Sequence, residues 1–513
     1  MKNSNIKSFA VLFILILSLT TWGQEEVPAD YNCFSVLVGK DASVDGTLLF
    51  GHNDDDGFQL VNYYVVPRKT HAKDAEQVLQ HGGRIPQADT TYKFFWIEVP
   101  GMEVADGFMN EFGVSIGSNY CGSREDTLDI SNGGILYDLR LIMAQRAKTA
   151  REAIQIAGEL IEEFGYRSSG RSYCIADREE AWVLSAVKGR RWAAARVPDD
   201  EVMVLPNYYP IAEMDLNDTV NYLGSADLIS YAQTRGWYDA KSDGVFNFRK
   251  AYAAQGALSN ANNTGRSWAA YSLLGEDFQR DDVFPFTFKP KNKVSKQLLM
   301  ELLANHSQGM EGMDKTESCT VGNPYDLNEG MICNGGTIYS FVVESRPWMP
   351  VEIGTLMWLA PRRCDIQPFI PWYSGVNKVP EVYAKNGYLN SIEDHYNPPP
   401  DIHVMYKEHA YWNFEVLSAN KVENFLEVFP PAFSEKKKFE ATLFEKQNRF
   451  EKKALNMYKK DPARAIDKIT RYSNKQAIQS YKNTVALLKA LDIPQPSPET
   501  SAIEIEDEVP AEN

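Results

Sequence analysis

Cys33 opens the stretch of this sequence with the clearest capacity for chemistry, which reads CFSVLVGKDASVDGTLLFGHNDDDG up to Gly57. A thiol can act as a nucleophile, and a free α-amino group, with a pKa of about 7.7–8.0, is suited to accept its proton. A chain cut immediately before Cys33 would carry nucleophile and base on one residue and would need no distant histidine. The stretch therefore predicts a nucleophilic site, with a buried or disulfide-bonded Cys33 as the structural alternative.

A polar cluster, His52 to Asp56, ends this stretch. Carboxylates beside a nucleophilic N-terminus can hold its ammonium or orient the amine, which draws attention to Asp54 and Asp55. The aspartates do not follow the spacing of a calcium-binding loop, and the 7 histidines include no H-E-x-x-H and no Cys/His zinc spacing. We therefore expect no metal ion and no cofactor.

Two short strands joined by a tight turn are predicted to position these groups. The alternation from Phe34 to Val38 and the run from Thr47 to Phe50 indicate β-strands, and Asp45-Gly46 supplies the positive φ of a hairpin turn. A thiol at the start of one strand and carboxylates at the end of its antiparallel partner can lie close together. We predict that this hairpin forms the active site.

The remaining patterns indicate mixed α/β layers rather than a doubly wound parallel sheet. Residues 135–161 have the apolar spacing of a helix, and short strands are predicted at 172–177 and 181–186. From 419 to 491 the chain lacks glycine and is rich in Lys and Glu, which predicts amphipathic helices interrupted at Pro430-Pro431 and at Pro462. The acidic, proline-bearing tail 494–513 is predicted to be disordered.

Composition and the N-terminus limit the classes of partner. The chain has 44% hydrophobic residues, which is typical of a globular protein. Its net charge of −16 argues against binding to nucleic acids or anionic membranes. Lys2 and Lys7 precede an apolar run from Phe9 to Leu19, the pattern of a signal peptide over 1–23 that is too short to span a bilayer. We expect an exported chain, periplasmic or secreted, whose mature form is not inserted in a membrane. Lipidation of Cys33 is disfavoured, because Asn32 is not small and apolar.

Two further motifs carry weaker signals. An exported chain with 6 cysteines favours disulfides, and Cys319–Cys333 is the preferred pair, with the other pairings left open. Residues 113–117 match G-x-S-x-G, but the required strand–turn–helix context is not predicted there, so the match is interpreted as accidental.

The stretch from Cys33 resembles the start of the dipeptidase A family of cysteine-type N-terminal-nucleophile (Ntn) hydrolases, which is related to penicillin V acylase and bile salt hydrolase. The resemblance covers most of the chain from Cys33 to about Phe414. It is carried further by Asn110–Val114, Asp138–Arg140, Ile175–Asp177, Glu180–Trp182, Trp192–Ala194, Arg196–Asp200, Pro206-Asn207, Phe246–Tyr252, Phe284–Thr287, Ser340–Val342 and Pro371–Val376.

This resemblance implies an α+β fold, the Ntn-hydrolase four-layer αββα sandwich with a helical C-terminal extension. It divides the chain into a signal peptide 1–23, a short propeptide 24–32, a dipeptidase domain 33–418, a helical region 419–493 and the tail 494–513.

The resemblance also implies roles for particular residues. Asp55 would orient the free amine of Cys33, Asn207 and Asn119 would donate to the oxyanion, and Arg266 would lie near the nucleophile. His52 stands where relatives commonly carry Arg. It serves the same role more weakly, marks a subgroup with another substrate, or is a packing residue at a strand end.

The activity implied is hydrolysis of dipeptides through an acyl-enzyme on Cys33, after autocatalytic removal of the preceding segment. Its partners would be small peptides, and the oligomeric state stays open, a homo-oligomer included. Two alternatives remain: an N-acyl amide hydrolase of the acylase type, and a non-catalytic exported binding protein on the same fold.

Overall fold

The computed structural model describes residues 33–56, 60–101, 106–280, 282–308, 310, 330–384 and 408–494. The predicted signal peptide, the segment 24–32, Cys319 of the expected disulfide and nearly all of the tail predicted at 494–513 lie outside these residues.

Cys33 stands immediately before the first strand of a six-stranded antiparallel sheet, here called the first sheet. Its strands, in spatial order, are β14 (Val202–Leu205), β1 (Phe34–Val38), β2 (Leu48–Asp55), β16 (Thr337–Ser345), β17 (Thr355–Pro361) and β18 (Ile370–Tyr373).

The predicted hairpin of β1 and β2 is confirmed, and its second strand is longer than expected. The turn contains Gly46 with a φ of 76°, a conformation that glycine adopts without strain. The register runs from Phe34 opposite Asn53 to Val38 opposite Leu49, and β16 pairs with the other edge of β2. Because both edges are paired, the polar cluster lies within a central strand rather than after it.

An eight-stranded antiparallel sheet, the second sheet, faces the first. Its strands, in spatial order, are β15 (Tyr222–Gly224), β13 (Trp192–Val197), β12 (Ala181–Gly189), β11 (Tyr166–Ala176), β10 (Ser115–Tyr120), β9 (Asp106–Asn110), β8 (Phe94–Glu98) and β3 (Asn62–Val66). Two small ribbons pair β4 (Lys69–Thr70) with β7 (Thr90–Thr91) and β5 (Glu76–Val78) with β6 (Arg84–Pro86).

Helices cover the outer faces of both sheets. Their bounds are α1 (Asp138–Arg146), α2 (Ala150–Phe164), α3 (Leu228–Thr234), α4 (Phe248–Tyr252), α5 (Gln255–Ser259), α6 (Ala261–Leu273), α7 (Lys296–Leu303), α8 (Val351–Gly354), α9 (Ala410–Glu423), α10 (Phe425–Tyr458) and α11 (Pro462–Ala490), with a 3₁₀ turn at Glu381–Tyr383.

The layers stack as helix, sheet, sheet, helix. The apolar face of α2, with Ile154 and Ile161, packs with α1 on the second sheet. On the other side α7 packs on β2 and β16, and α11 packs on β18. A large apolar core fills the space between the sheets, with Phe50 and Phe341 among its buried rings. The predicted α+β four-layer sandwich with C-terminal helices is confirmed.

Two predicted helix boundaries are corrected. The pattern over 135–161 forms two helices, because Thr149 is extended and its side chain accepts from Glu152 N, which starts α2 afresh. Pro430 and Pro431 lie inside α10 and do not interrupt it. Each proline removes one backbone N–H donor from the helix. Val428 and Ala432 on either side are buried in an apolar cluster shared by α9, α10 and α11, and this burial offsets the lost hydrogen bonds. The interruption at Pro462 is confirmed, since α11 begins there.

No helix within the described ranges combines the length and the apolar character needed to cross a bilayer.

Candidate active site

The thiol of Cys33 lies between the two sheets and is 5% exposed. Its Sγ is 3.5 Å from Asp54 Oδ1 and 3.7 Å from the carbonyl oxygen of Asp55, which are the acceptors for its S–H. Burial raises the pKa of this thiol well above its usual value, and the negative charges of Asp54 and Asp55 raise it further. At neutral pH the sulfur is therefore held as a thiol that needs a base to become nucleophilic.

Asp54 is the carboxylate that touches the thiol. The sequence names it with Asp55 in the polar cluster, but the family resemblance assigns the role at the amine to Asp55 alone. Asp54 Oδ2 accepts a hydrogen bond of 2.5 Å from the Tyr339 hydroxyl and lies 3.8 Å from His52 Nε2. Burial raises the pKa of Asp54, but the contacts with His52 and Tyr339 outweigh it, so the pKa is lowered overall. The period-2 alternation that places Asp54 and His52 on one face could have identified it, had the strand been extended to Asp55.

Asp55, the predicted partner of the amine, turns its side chain to the other face of β2. Thr337 Oγ1 donates to its Oδ1 at 2.7 Å, and Asn334 Nδ2 donates to its Oδ2. Burial raises the pKa of Asp55 to about 7, although both hydrogen bonds act to lower it. The structure thus brings the backbone carbonyl of Asp55 to the thiol, and its carboxylate to the start of β16.

Asn119 reaches Cys33 from β10 of the second sheet. Its Nδ2 donates to the Cys33 carbonyl at 2.8 Å and also lies 3.1 Å and 3.2 Å from the carbonyls of Leu205 and Pro206. Its Oδ1 accepts from Ser35 Oγ at 2.6 Å. Through these hydrogen bonds Asn119 connects the beginning of β1 to the second sheet.

Arg266 also contacts the Cys33 carbonyl, and it links this carbonyl to Asn207. Arg266 Nη1 donates to the Cys33 carbonyl at 3.0 Å, and Nη2 donates to Asn207 Oδ1 at 2.9 Å and to Asn263 Oδ1 at 2.8 Å. Burial lowers the pKa of Arg266 to about 10, so the side chain stays charged at neutral pH. Asn207 Nδ2 donates to the Tyr120 carbonyl at 2.9 Å. Arg266 therefore fixes which way the Asn207 amide faces.

His52 is fully buried, and its polar neighbours on the two ring nitrogens are Ser35 and Asp54. Its ring packs among Phe50, Tyr339 and Phe341, and its Nδ1 lies 2.8 Å from Ser35 Oγ. These two contacts connect His52 to Cys33 through Ser35 and Asp54. This position between two polar partners differs from that of a simple packing residue at a strand end.

The other motifs take no part in this cluster. Ser115 of the G-x-S-x-G match lies buried inside β10, and α1 begins only at Asp138, so that interpretation as accidental is confirmed. Cys333 of the preferred disulfide is buried, but Cys319 falls outside the described residues. Among the described residues, no three His, Cys, Asp or Glu side chains are grouped so that they could hold a metal ion.

The arrangement can perform nucleophilic acyl chemistry. It presents one thiol with a carboxylate acceptor, an arginine–asparagine pair at the adjacent carbonyl, and a second sheet that fixes the backbone.

The sequence profile described as peptidase family C69 matches residues 32–426, which begin one residue before Cys33 and contain every side chain of the cluster around Cys33. The chain belongs to peptidase family C69. This confirms the family resemblance and the class of enzyme, a peptidase.

Curated relatives of this C69 peptidase carry dipeptidase names. A probable dipeptidase B from Streptococcus pyogenes serotype M1 is 23% identical over 501 residues, covering 91% of this chain and 94% of the relative. A probable dipeptidase A from the same serotype is 26% identical over 396 residues, covering 71% and 79%. A probable dipeptidase from Salmonella dublin is 25% identical over 381 residues, covering 71% and 84%.

Two solved structures show weaker likeness to this C69 peptidase. A mutant conjugated bile acid hydrolase from Clostridium perfringens has a TM-score of 0.28 and 12% identity, covering 64% of this chain and 89% of that one. An N-acylethanolamine-hydrolyzing acid amidase orthologue from Caenorhabditis elegans has a TM-score of 0.24 and 11% identity, covering 60% and 92%. At these TM-scores neither likeness bears on the site.

Proposed function

We propose that this peptidase is an exported dipeptidase whose nucleophile is Cys33, exposed as the first residue of the mature chain. The observation that carries the proposal is the contact of the Cys33 Sγ with Asp54 Oδ1 at 3.5 Å, on a residue whose carbonyl oxygen accepts from Asn119 and Arg266. The dipeptidase names of the curated relatives support dipeptides as the substrate class.

In the first half of the reaction, the α-amine of Cys33 accepts the thiol proton and the sulfur attacks the scissile carbonyl carbon. The charge that develops on the carbonyl oxygen is stabilised by Asn207 and a backbone N–H, and one such donor in an oxyanion hole typically contributes about 2.7–4 kcal/mol. One N–H of Asn207 bonds the Tyr120 carbonyl, and the second is the donor that we assign to the oxyanion.

In the second half, the ammonium of Cys33 returns its proton to the leaving amine as the carbon–nitrogen bond breaks. A thioester on Cys33 remains. Water then attacks the thioester, its proton passes to the α-amine, and the acyl product leaves while the thiol is restored. The ionised carboxylate of Asp54 supports both halves, because it stabilises the ammonium that forms beside it.

Export and processing belong to the same proposal. The charged start and apolar run of residues 1–23 support secretion to the periplasm or the medium, followed by self-cleavage between Asn32 and Cys33. The N-terminal sequence and intact mass of the exported protein test this. A chain beginning at Cys33 supports it, whereas a chain beginning near Gln24 with Cys33 in a disulfide contradicts it.

Cys33→Ala is the decisive variant. We expect it to lose dipeptide hydrolysis and to retain the segment from Gln24, while Cys364→Ala, which removes a buried thiol after β17, stays active and processed. A fully active Cys33→Ala protein would refute the mechanism. Hydrolysis of a dipeptide panel and of an N-acyl amino acid panel separates the dipeptidase from an acylase. A protein inactive on both, with Cys33 unreactive to thiol labels, would favour a binding protein.

A further inference from the structure

A closed circuit of polar contacts leads from the Cys33 thiol to the Cys33 carbonyl through four side chains. The thiol meets Asp54 Oδ1 at 3.5 Å, and Asp54 Oδ2 lies 3.8 Å from His52 Nε2. His52 Nδ1 is 2.8 Å from Ser35 Oγ, which is 2.6 Å from Asn119 Oδ1. Asn119 Nδ2 then returns to the Cys33 carbonyl at 2.8 Å. The direction of each hydrogen bond in this circuit can be assigned.

The assignment begins at Asn119, because its Nδ2 faces three carbonyl oxygens, of Cys33, Leu205 and Pro206. Carbonyls only accept, so the amide cannot be reversed and Oδ1 must face Ser35. The single hydroxyl hydrogen of Ser35 is therefore donated to Asn119. The 2.8 Å contact between Ser35 Oγ and His52 Nδ1 must then be a hydrogen bond that Nδ1–H donates.

The other ring nitrogen of His52 faces a carboxylate. Both oxygens of Asp54 already accept hydrogen bonds, from the Cys33 thiol and from the Tyr339 hydroxyl, which is the pattern of an ionised group. Nε2 is fully buried, and no hydrogen-bond partner lies within reach of it among the described residues. A bare nitrogen lone pair turned towards a carboxylate in this interior would be repelled, whereas an N–H would be attracted.

We propose that His52 is a buried imidazolium, protonated on both ring nitrogens, and that its charge keeps Asp54 ionised beside the Cys33 thiol. His52 is a positioning residue, since it acts through Asp54 and Ser35 and does not touch the reacting atoms.

Other charged and titratable groups also act on this pair. Tyr339 faces Asp54 from β16, and Arg140 acts on Asp54 electrostatically from α1. Asp55 follows on β2, the Cys33 thiol faces Asp54 from the start of β1, and the Cys174 thiol lies beside Ser35 from β11. Within the described part of the chain, His52 is the one basic side chain within 4.0 Å of Asp54. Its charge is therefore the nearest compensation for the carboxylate.

Nitrogen NMR of the full chain, with ¹⁵N supplied only in histidine, tests the protonation directly and needs no catalytic activity. The chain has 7 histidines, and His52→Asn identifies the His52 signals by their loss. We expect hydrogens on both ring nitrogens of His52 at neutral pH. A neutral ring with one bare nitrogen would overturn the inference, even if the protein hydrolyses dipeptides.

A second measurement concerns the role in the reaction, and this part rests on the proposed function. His52→Asn can keep the donor to Ser35 but removes a positive charge that disfavours protonation of the Asp54 carboxylate and of the Cys33 α-amine. The acid-side midpoint of kcat/KM should therefore rise by between about one and three pH units. His52→Gln can keep a neutral donor towards Asp54 and should shift the midpoint less. Ser345→Ala, a buried hydroxyl on β16 outside the circuit, should leave the midpoint unchanged.

The outcomes separate the two proposals. A midpoint that stays in place in a folded, active His52→Asn protein would overturn the positioning role. If the wild-type protein hydrolyses no dipeptide, the proposed function fails, and the NMR result still decides the charge of His52.

Discussion

Replacing Asp55 with Asn should stabilise this protein above neutral pH and leave its stability nearly unchanged near pH 4. The carboxyl of Asp55 is buried at the start of β16, and burial raises its pKa from 3.8 to about 7. A carboxyl with a raised pKa stays protonated in the folded state while the unfolded chain ionises. Its contribution to stability is therefore complete below pH 3.8 and is lost as pH rises through 7.

The magnitude follows from this difference. At 1.36 kcal/mol for each pKa unit, the rise from 3.8 to about 7 corresponds to about 4 kcal/mol lost between these pH values. Asn carries no charge, so it removes this pH-dependent loss. Its amide nitrogen is a donor, however, and it must face either Asn334 or Thr337, which both donate to Asp55, so one of the two hydrogen bonds is disturbed. One disturbed hydrogen bond costs about 0.5–1.5 kcal/mol, so a net gain of about 2.5–3.5 kcal/mol is expected at pH 8.

Urea unfolding at pH values from 4 to 8 is the assay. It should be done in a Cys33→Ala background, so that neither the thiol nor a free amine at residue 33 contributes to the charge of Asp55. The free energies of unfolding with and without the Asp55→Asn substitution should differ by no more than about 1 kcal/mol at pH 4, where the cost of the disturbed hydrogen bond remains, and the variant should become the more stable as pH rises. Parallel curves across this range would refute the reasoning, because they would mean that Asp55 ionises equally easily in both states.

Three further predictions test other parts of the structure. Asn207→Ala should lower kcat about 10²–10³-fold on dipeptides with little change in KM. A raised KM with an unchanged kcat would contradict an oxyanion role. Arg346→Met leaves Glu451 buried without the 2.7 Å ion pair to Arg346 Nη1, so urea unfolding should show a loss of about 3–5 kcal/mol with kcat of the folded enzyme retained. In Gly158→Ala the new methyl group would overlap the Trp192 ring, so the variant should lose about 1–3 kcal/mol, and an unchanged midpoint would show that α2 can shift away from β13.

The sequence identifies the features of this protein that depend on neighbouring residues. The β1–β2 hairpin is predicted correctly because Asp45-Gly46 determines the turn locally and the alternation of side chains determines the strands. Start signals such as Pro462 are equally local, so the beginning of α11 is predicted correctly. The four layers and the peptidase class follow from the family resemblance, which extends along most of the chain.

Tertiary structure decides which groups meet Cys33. Asp54 rather than the side chain of Asp55 touches the thiol, because pairing with β16 extends β2 and alternate residues of a strand face opposite sides. Asn119 and Arg266 are 86 and 233 residues from Cys33 in the chain, and only the packing of the second sheet and α6 around β1 brings them to its carbonyl. The donor directions around His52 and its position beside Asp54 depend on the same packing, since no local pattern specifies contacts between strands so distant in sequence.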